Sequence, residues 1–532
     1  MSLFVNIAIA AVLSGKVLAG GAPVPGVSVS DGVSIVLTAE DGSYRIESEK
    51  EEGFVFISVP SGYRPEGKDK LLPAFWHPLD PDPTRDEVHD FHLTRENQDR
   101  CRILLVSDIH LTGADFKPDL ETFRKTAAPA IRKYARKAAK EGPVYTFNLG
   151  DLTHERYWYQ FNYGLPEAVR ELRIAKFPGL MYSVAGNHDN DCASRADDTD
   201  RFAEHNYRDL LGPMCYSVNI AGTHWIFADD TIYENAPGIN KAPAVGSAGS
   251  LSYSRGFTPG RMEWIRKDLE TLPDGTEVFL CTHCPVLNDN ASGCSIPPEQ
   301  VDSLYKWTRR FGGMGLFCGH MHRLQFLEGA PSRPGLRQLI VPAFSGNMWE
   351  SAPNRLLGVD GEDAGWVVAT VGTGRDISLE YRTILYGEKW LRAYDMNSVR
   401  DYYLSDPEIA RQLETYPQRA DFRKSEYGNR ILINCWWLRP GDKVEVLENG
   451  KSLKVKKVKD EDPLFNVSYY VAAFQGKHPI APPQKKVANR HMFAVRASSD
   501  DSPVVIRVVS SDGAVLHEET FNRPAVFSPS MK

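Results

Sequence analysis

Five short runs in the middle of the chain collect residue types that hold metal ions: Asp108-Ile109-His110, Gly150-Asp151, Gly186-Asn187-His188-Asp189, Thr282-His283 and Gly319-His320-Met321-His322. Histidine offers a neutral nitrogen, aspartate an anionic oxygen able to bridge two cations, and asparagine a neutral oxygen. That mixture is what a dinuclear centre needs, and it suits Mn, Fe or Zn. A lone histidine is more often a packed core or surface residue than a ligand. Five such runs reverse that expectation, because each follows an apolar segment of strand length.

Those segments span residues 103–106, 144–148, 180–184, 278–281 and 315–318. In an open sheet the loops at strand C-terminal ends converge on one crevice, so groups far apart in sequence gather there. Asp108 and His110 alternate along the chain, so both can ligate one ion only if the backbone bends. Gly150, Gly186 and Gly319 stand directly before ligand-type residues, where a side chain would obstruct the turn or an approaching phosphate. Helical patterns at 118–140, 259–271 and 298–311, with further strands at 223–228 and 338–341, make this region an α/β layered architecture with a central sheet.

The chain has 532 residues, more than the roughly 250–300 that one core usually organises. Short apolar runs at 27–29, 34–37, 44–46 and 54–59, punctuated by Asp31-Gly32, Asp41-Gly42 and Ser61-Gly62, are an all-β pattern. Runs at 430–437, 443–447, 467–474, 492–497 and 504–509 repeat it after the α/β region. The expected domains are 1–97, 98–384 and 385–532, a core flanked by two all-β domains. The apolar stretch 4–13 reads as a first strand; it is too short to span a bilayer and no Lys or Arg precedes it.

The formal net charge is -7 with no block of basic residues, which argues against nucleic acid as a partner. Arg132, Lys133, Arg136, Lys137 and Lys140 fall at helical spacing and read as a solvated face. The eight cysteines are scattered and define no disulfide framework. Cys281 and Cys284 read as packing around His283 at a strand end.

The five motifs resemble those of the calcineurin-like metallophosphoesterase superfamily, over about residues 101–381. The resemblance implies an α/β/β/α sandwich and two divalent ions. One would be held by Asp108, His110 and His322, the other by Asn187, His283 and His320, with Asp151 bridging. It further implies hydrolysis of a small-molecule phosphomonoester or phosphodiester by a metal-bridged hydroxide, with His188 giving a proton to the leaving group and Asp189 tuning that region. The third residue after the bridging aspartate, often an aspartate that orients the catalytic histidine, is here His154. Two roles stay open for it: contact with substrate, or a water-mediated partnership with His188. Arg156 and Trp158, after the bridging aspartate, and Asn347 and Trp349, after the strand at 338–341, are the candidate substrate contacts, with packing the commoner role for the aromatic ones.

The segment from Gly15-Lys16-Val17 to Asp41-Gly42-Ser43-Tyr44 resembles the transthyretin-like, Ig-like sandwich appended to extracellular hydrolases, which implies a spacer or docking module. Multi-domain relatives of this type are frequently exported, so a periplasmic or cell-envelope location is expected. A competing reading is a catalytically weak envelope or glycan binding protein with a structural metal site; the non-ligating His188 stands against it. A nuclease of the same superfamily is disfavoured by the acidic charge.

Overall fold

The run at residues 103–106 is apolar at every position because its strand is buried on both faces. The computed structural model, which describes residues 10–67, 69–191, 199–233, 253–290, 292–350, 355–372, 377–474 and 489–531, places it in the strand Arg100–Val106. Ile103 and Leu105 point into one hydrophobic cluster, Leu104 and Val106 into another, as the period of two requires. The strand pairs in parallel with Val144–Asn148, which pairs in parallel with Met181–Ser183. On its other side lies the antiparallel strand Gly365–Gly372, followed by Ser378–Thr383 and Gly387–Glu388.

A second six-stranded sheet has the order Cys215–Ile220, Thr223–Ala228, Glu277–Cys281, Met314–Cys318, Leu336–Ile340 and Gln325–Glu328. Its four inner strands are mutually parallel and its two edges antiparallel. Phe147 of the first sheet packs on Trp225 and Phe227 of the second, with ring centroids 5.2 and 4.8 Å apart. The single central sheet expected from the strand pattern is therefore two stacked sheets, since apolar periodicity marks strands without saying which of them share a ladder. The α/β/β/α sandwich is the observed core. Helices Asp119–Thr122, Phe123–Ala127 and Ala128–Ala138 run continuously, with a wide π turn just before Pro129, whose ring and missing N–H a regular α turn would not accommodate.

The N-terminal unit is a sandwich of two small sheets. Its first described strand is Ala11–Ala19, so the beginning of the strand expected at 4–13 lies outside the described residues. It docks on the second core sheet and the helix Pro259–Glu270: Trp264 Nε1 of that helix donates to Ser30 Oγ at 2.9 Å, and the Ser58 hydroxyl meets that of Ser217 on the edge strand at 2.6 Å.

Two corrections concern the C-terminal unit. Within the domain 385–532, expected to be all-β, Met396–Ser405 and Pro407–Thr415 are helices. Asp395 and Asp406 cap them by accepting from Asn397 N (3.2 Å) and Glu408 N (2.9 Å). The expected strand 467–474 is helical throughout, within Pro463–Phe465, Asn466–Val471 and Ala472–Phe474. Its β-branched and aromatic residues resemble a strand, but Asp462 caps Phe465 N at 2.9 Å, Pro463 starts the first turn, and residues 463–471 are buried all round. The rest of the unit is two four-stranded sheets. No helix among the described residues is long and apolar enough to cross a membrane, and the seven described cysteines are free thiols.

Asp462 also accepts from Tyr394 OH (2.8 and 2.7 Å) and Asn434 Nδ2 (2.9 Å). Asp462→Ala is expected to cost the C-terminal unit about 3 kcal/mol, read as a lower urea midpoint. A loss under about 0.5 kcal/mol, the range of an ordinary surface substitution, contradicts this account of the helix.

Candidate metal centre

All five motifs leave the C-terminal ends of parallel strands, three from the first sheet and two from the second, and meet where the sheets abut. The crossing loops tie to one another: Asp108 N donates to Gly150 O, His110 N to Asp151 O and Gly319 N to His283 O, each at 3.0 Å. Asp108, His110, Asp151, His320 and His322 all have left-handed backbone, with φ between +49° and +67°. This is the bend that alternate ligands require. Such a conformation costs a non-glycine residue about 1–2 kcal/mol, and persists where the surroundings over-determine it. A Cβ on Gly319 would lie 1.6 Å from Ser107 Oγ and 2.6 Å from Asp108 Oδ2, and one on Gly150 would lie 2.5 Å from His283 Nδ1. These glycines keep room for the ligand-type side chains themselves.

The side chains form two groups. Asp108, His110 and His322 have ligand atoms converging within 4.8 Å, and Asp151, His283 and His320 do the same. In the first, His110 Nε2 and His322 Nε2 face each other at 2.9 Å, and Asp108 Oδ1 lies 3.7 and 3.2 Å from them. In the second, Asn187 Oδ1 lies 3.0 Å from His283 Nε2 and 2.8 Å from His320 Nδ1. Asp151 Oδ2 is 3.2 Å from His283 Nε2 and 3.7 Å from His110 Nε2, so it reaches both groups. Burial opposes ionisation of both carboxyls, yet the surrounding imidazoles hold Asp108 and Asp151 well below the usual range. Burial likewise opposes protonation of His283, and Asp151 overrides it, raising that ring to about 10. Asp108 Oδ1 is buried without a hydrogen-bond partner. Converging lone pairs, an orphaned carboxylate oxygen and a mixed N/O donor set fit two divalent cations.

His188 stands beside these groups, its ring 5.3 Å from that of His110. Its Nδ1 is hydrogen-bonded to Glu155 Oε2, a residue that sequence reasoning passed over. The orienting carboxylate sought three places after Asp151 lies four places after it, on a longer side chain at the start of the short helix Glu155–Tyr157. That shift by one residue was the available signal. Burial opposes protonation of His188, but Glu155 and then Asp151 outweigh it and raise the ring to about 9. His154 stacks directly on His188, centroids 4.0 Å apart and planes 24° apart, and burial holds its ring well below the ordinary histidine value.

Several expected contacts are placed elsewhere. Asp189 accepts from Asp151 N (2.8 Å), Gly186 N (3.0 Å) and Thr153 N (3.2 Å), so it braces the loops that carry the ligand groups. Trp158 is buried and donates to Thr153 Oγ1 at 2.9 Å; Trp349 is buried and donates to Ile109 O at 2.8 Å. Both indoles support the metal loops from below, where a large apolar group gains most by leaving water. Arg156 is exposed over the Tyr157 ring at 5.9 Å, and Asn347 is half-buried with its backbone amide bonded to Leu357 O at 2.7 Å. Arg255, outside every motif, sets its Nη2 2.7 Å from His320 Nε2 and its Nη1 3.2 Å from Ser295 Oγ.

The calcineurin-like phosphoesterase family model matches residues 101–324, and the models of its N-terminal and C-terminal parts match residues 11–96 and 339–515. No curated protein matches the chain. Among solved structures it is similar to a dimetal phosphatase from Danio rerio, at 12% identity and TM-score 0.34, covering 54% of this chain and 99% of that one. It is also similar to a calcineurin-like phosphoesterase from Bacillus subtilis, at 14% identity and TM-score 0.25, covering 55% and 93%. A third is the NAD nucleotidase of Haemophilus influenzae, at 10% identity and TM-score 0.27, covering 62% and 58%. The three consecutive family models carry the assignment: this chain belongs to the calcineurin-like phosphoesterase family and is a metal-dependent hydrolase of ester bonds.

Proposed function

We propose that the chain hydrolyses small-molecule phosphomonoesters or phosphodiesters, with His188 as proton donor to the leaving oxygen. The observation that supports this best is the pairing of two ligand groups that share Asp151 with a histidine outside both, backed by Glu155. In this reading Asp108, His110 and His322 hold one cation, Asn187, His283 and His320 the other, and Asp151 serves both; the donor set suits Mn, Fe or Zn. Two such cations supply Lewis acidity toward phosphoryl oxygens and water.

The protein's own contribution is placement of the proton. Glu155 accepts from Nδ1, so the proton to be given sits on Nε2. The Asp151 carboxylate accepts from the His188 backbone amide at 2.8 Å, which fixes the ring relative to the bridging position. His154, stacked on the ring, limits its rotation and its access to water. A structural metal site has no use for this arrangement, and general acid catalysis of this kind contributes about 10²–10⁴ in rate.

With Mn²⁺, the full chain is expected to hydrolyse para-nitrophenyl phosphate or its bis ester, and Asn187→Ala to lower turnover by about 100-fold or more, since even residues behind metal ligands cost about 10–100-fold. Absence of turnover of either ester with Mn, Fe or Zn contradicts the proposal. His188→Ala is expected to lower kcat by about 10²–10⁴ on an alkyl phosphate and far less on the nitrophenyl ester, whose leaving group needs no proton. Glu155→Gln should follow the same pattern more weakly. Equal losses on both esters would remove His188 from the donor role.

A further inference from the structure

A cavity of about 250 Å³ opens beside the second ligand group, and its polar lining includes Arg255, Arg323, Arg490, Ser295 and Asp289. It shares Arg255 and Met321 with the edge of the metal centre, and its remaining wall includes Pro285, Leu287 and Ile340. Three guanidinium groups face one carboxylate here, in a chain whose formal net charge is -7. Asp289 is ion-paired to Arg490, which leaves Arg255 and Arg323 as the cations without a carboxylate among the cavity's lining residues. Arg323 follows His322 directly, donates to a neutral acceptor, Gln325 Oε1 at 3.1 Å, and favours ionisation of the buried Asp360 carboxyl nearby. Apolar walls lower the local dielectric and strengthen any charge-assisted bond made inside.

Arg255 carries a second, independent indication. His320 turns Nδ1 toward Asn187 Oδ1 (2.8 Å) and His283 Nε2 (3.3 Å), and Nε2 toward Arg255 Nη2 (2.7 Å). A guanidinium only donates. If Nδ1 gives its lone pair to a cation, the ring hydrogen lies on Nε2, and two N–H groups oppose each other at contact distance. Loading of the metal site would therefore remove His320 as an acceptor for Arg255, which would keep Ser295 and Tyr253 as neutral hydrogen-bond partners and the buried Asp230 nearby, with the cavity in front of it. A guanidinium left on neutral hydrogen-bond partners beside a basic cavity favours an anion.

We propose that this cavity binds a second anionic group of the substrate, so that the preferred phosphoester carries a carboxylate or another phosphate a few bonds from the scissile phosphate. This rests on the phosphoesterase reading above. The volume lies just under the ~300 Å³ lower end of sites for drug-sized ligands, which fits a small anionic group. It also gives the C-terminal unit a role at the site, because Arg490 comes from that unit and Arg255 and Arg323 from the core.

Calorimetry of the Mn²⁺-loaded full chain with three inert phosphonates tests this: propylphosphonate, 3-phosphonopropionate and 1,3-propanediphosphonate. At least one of the two probes with a second anionic group is expected to bind about tenfold tighter than propylphosphonate, and which one does so distinguishes carboxylate from phosphate. Arg323→Gln and, as a separately folded check, Arg490→Gln should each shrink that preference about threefold or more. Equal binding of all three probes overturns the anion subsite while leaving the phosphoesterase reading intact. Binding of none, together with absence of ester turnover, overturns both. A preference that survives in both variants assigns the anion to another place and overturns the proposal.

Discussion

Everything at this centre depends on the need to compensate two buried carboxylates. Asp108 and Asp151 are 0% and 1% exposed, at the seam where two sheets meet. An isolated buried anion is expensive, so positive charge must gather around it. His283 supplies it: Asp151, with Asp108 and the Leu149 carbonyl, pulls its buried ring up to about 10, while burial holds the His110 and His320 rings below the ordinary histidine value. Two cations satisfy the same demand with less protonation of the ligands. The left-handed backbone at five of these residues and the glycines beneath them follow from packing so many polar side chains around one seam.

The seam explains why the site was legible in sequence to the extent it was. Ligand-type residues at the ends of buried strands are visible as motifs, because strand burial writes an apolar run and the following loop writes its ligands. Asp108, His110, Asp151, Asn187, His283, His320 and His322 were therefore all candidates, and the structure brings them together. Glu155 was missed because its position is set by a short helical turn, which lets a longer side chain act from one residue further on. Arg255 lies on a two-stranded ribbon with no motif, and only the fold brings it to His320. Trp158 and Trp349 left two roles open for the opposite reason: aromatic residues next to a ligand motif look alike whether they line the crevice or support it, and both are buried.

At the level of architecture, the three-part division and the β-rich flanks were readable from strand and turn patterns, whereas the pairing of core strands into two sheets was not. The helix at residues 463–474 shows how burial overrides propensity. Its β-branched and aromatic residues are surrounded on every side, so the cap at Asp462 and Pro463 decides its conformation. That helix also sends Tyr469 to Glu350, 3.4 Å away in the loop after the last core ligands, while Arg490 pairs with Asp289 across the same boundary. The C-terminal unit is thus built against the loops that carry the chemistry.

The central claim is that Asp151 joins two metal positions. Elemental analysis of the purified full chain, reconstituted with excess Mn²⁺ and desalted, tests it most directly when wild type is compared with Asp151→Ala. The account predicts two ions per chain in the wild type and loss of both in the variant. One ion or none in the wild type, or a variant that retains a full complement of two, would contradict it.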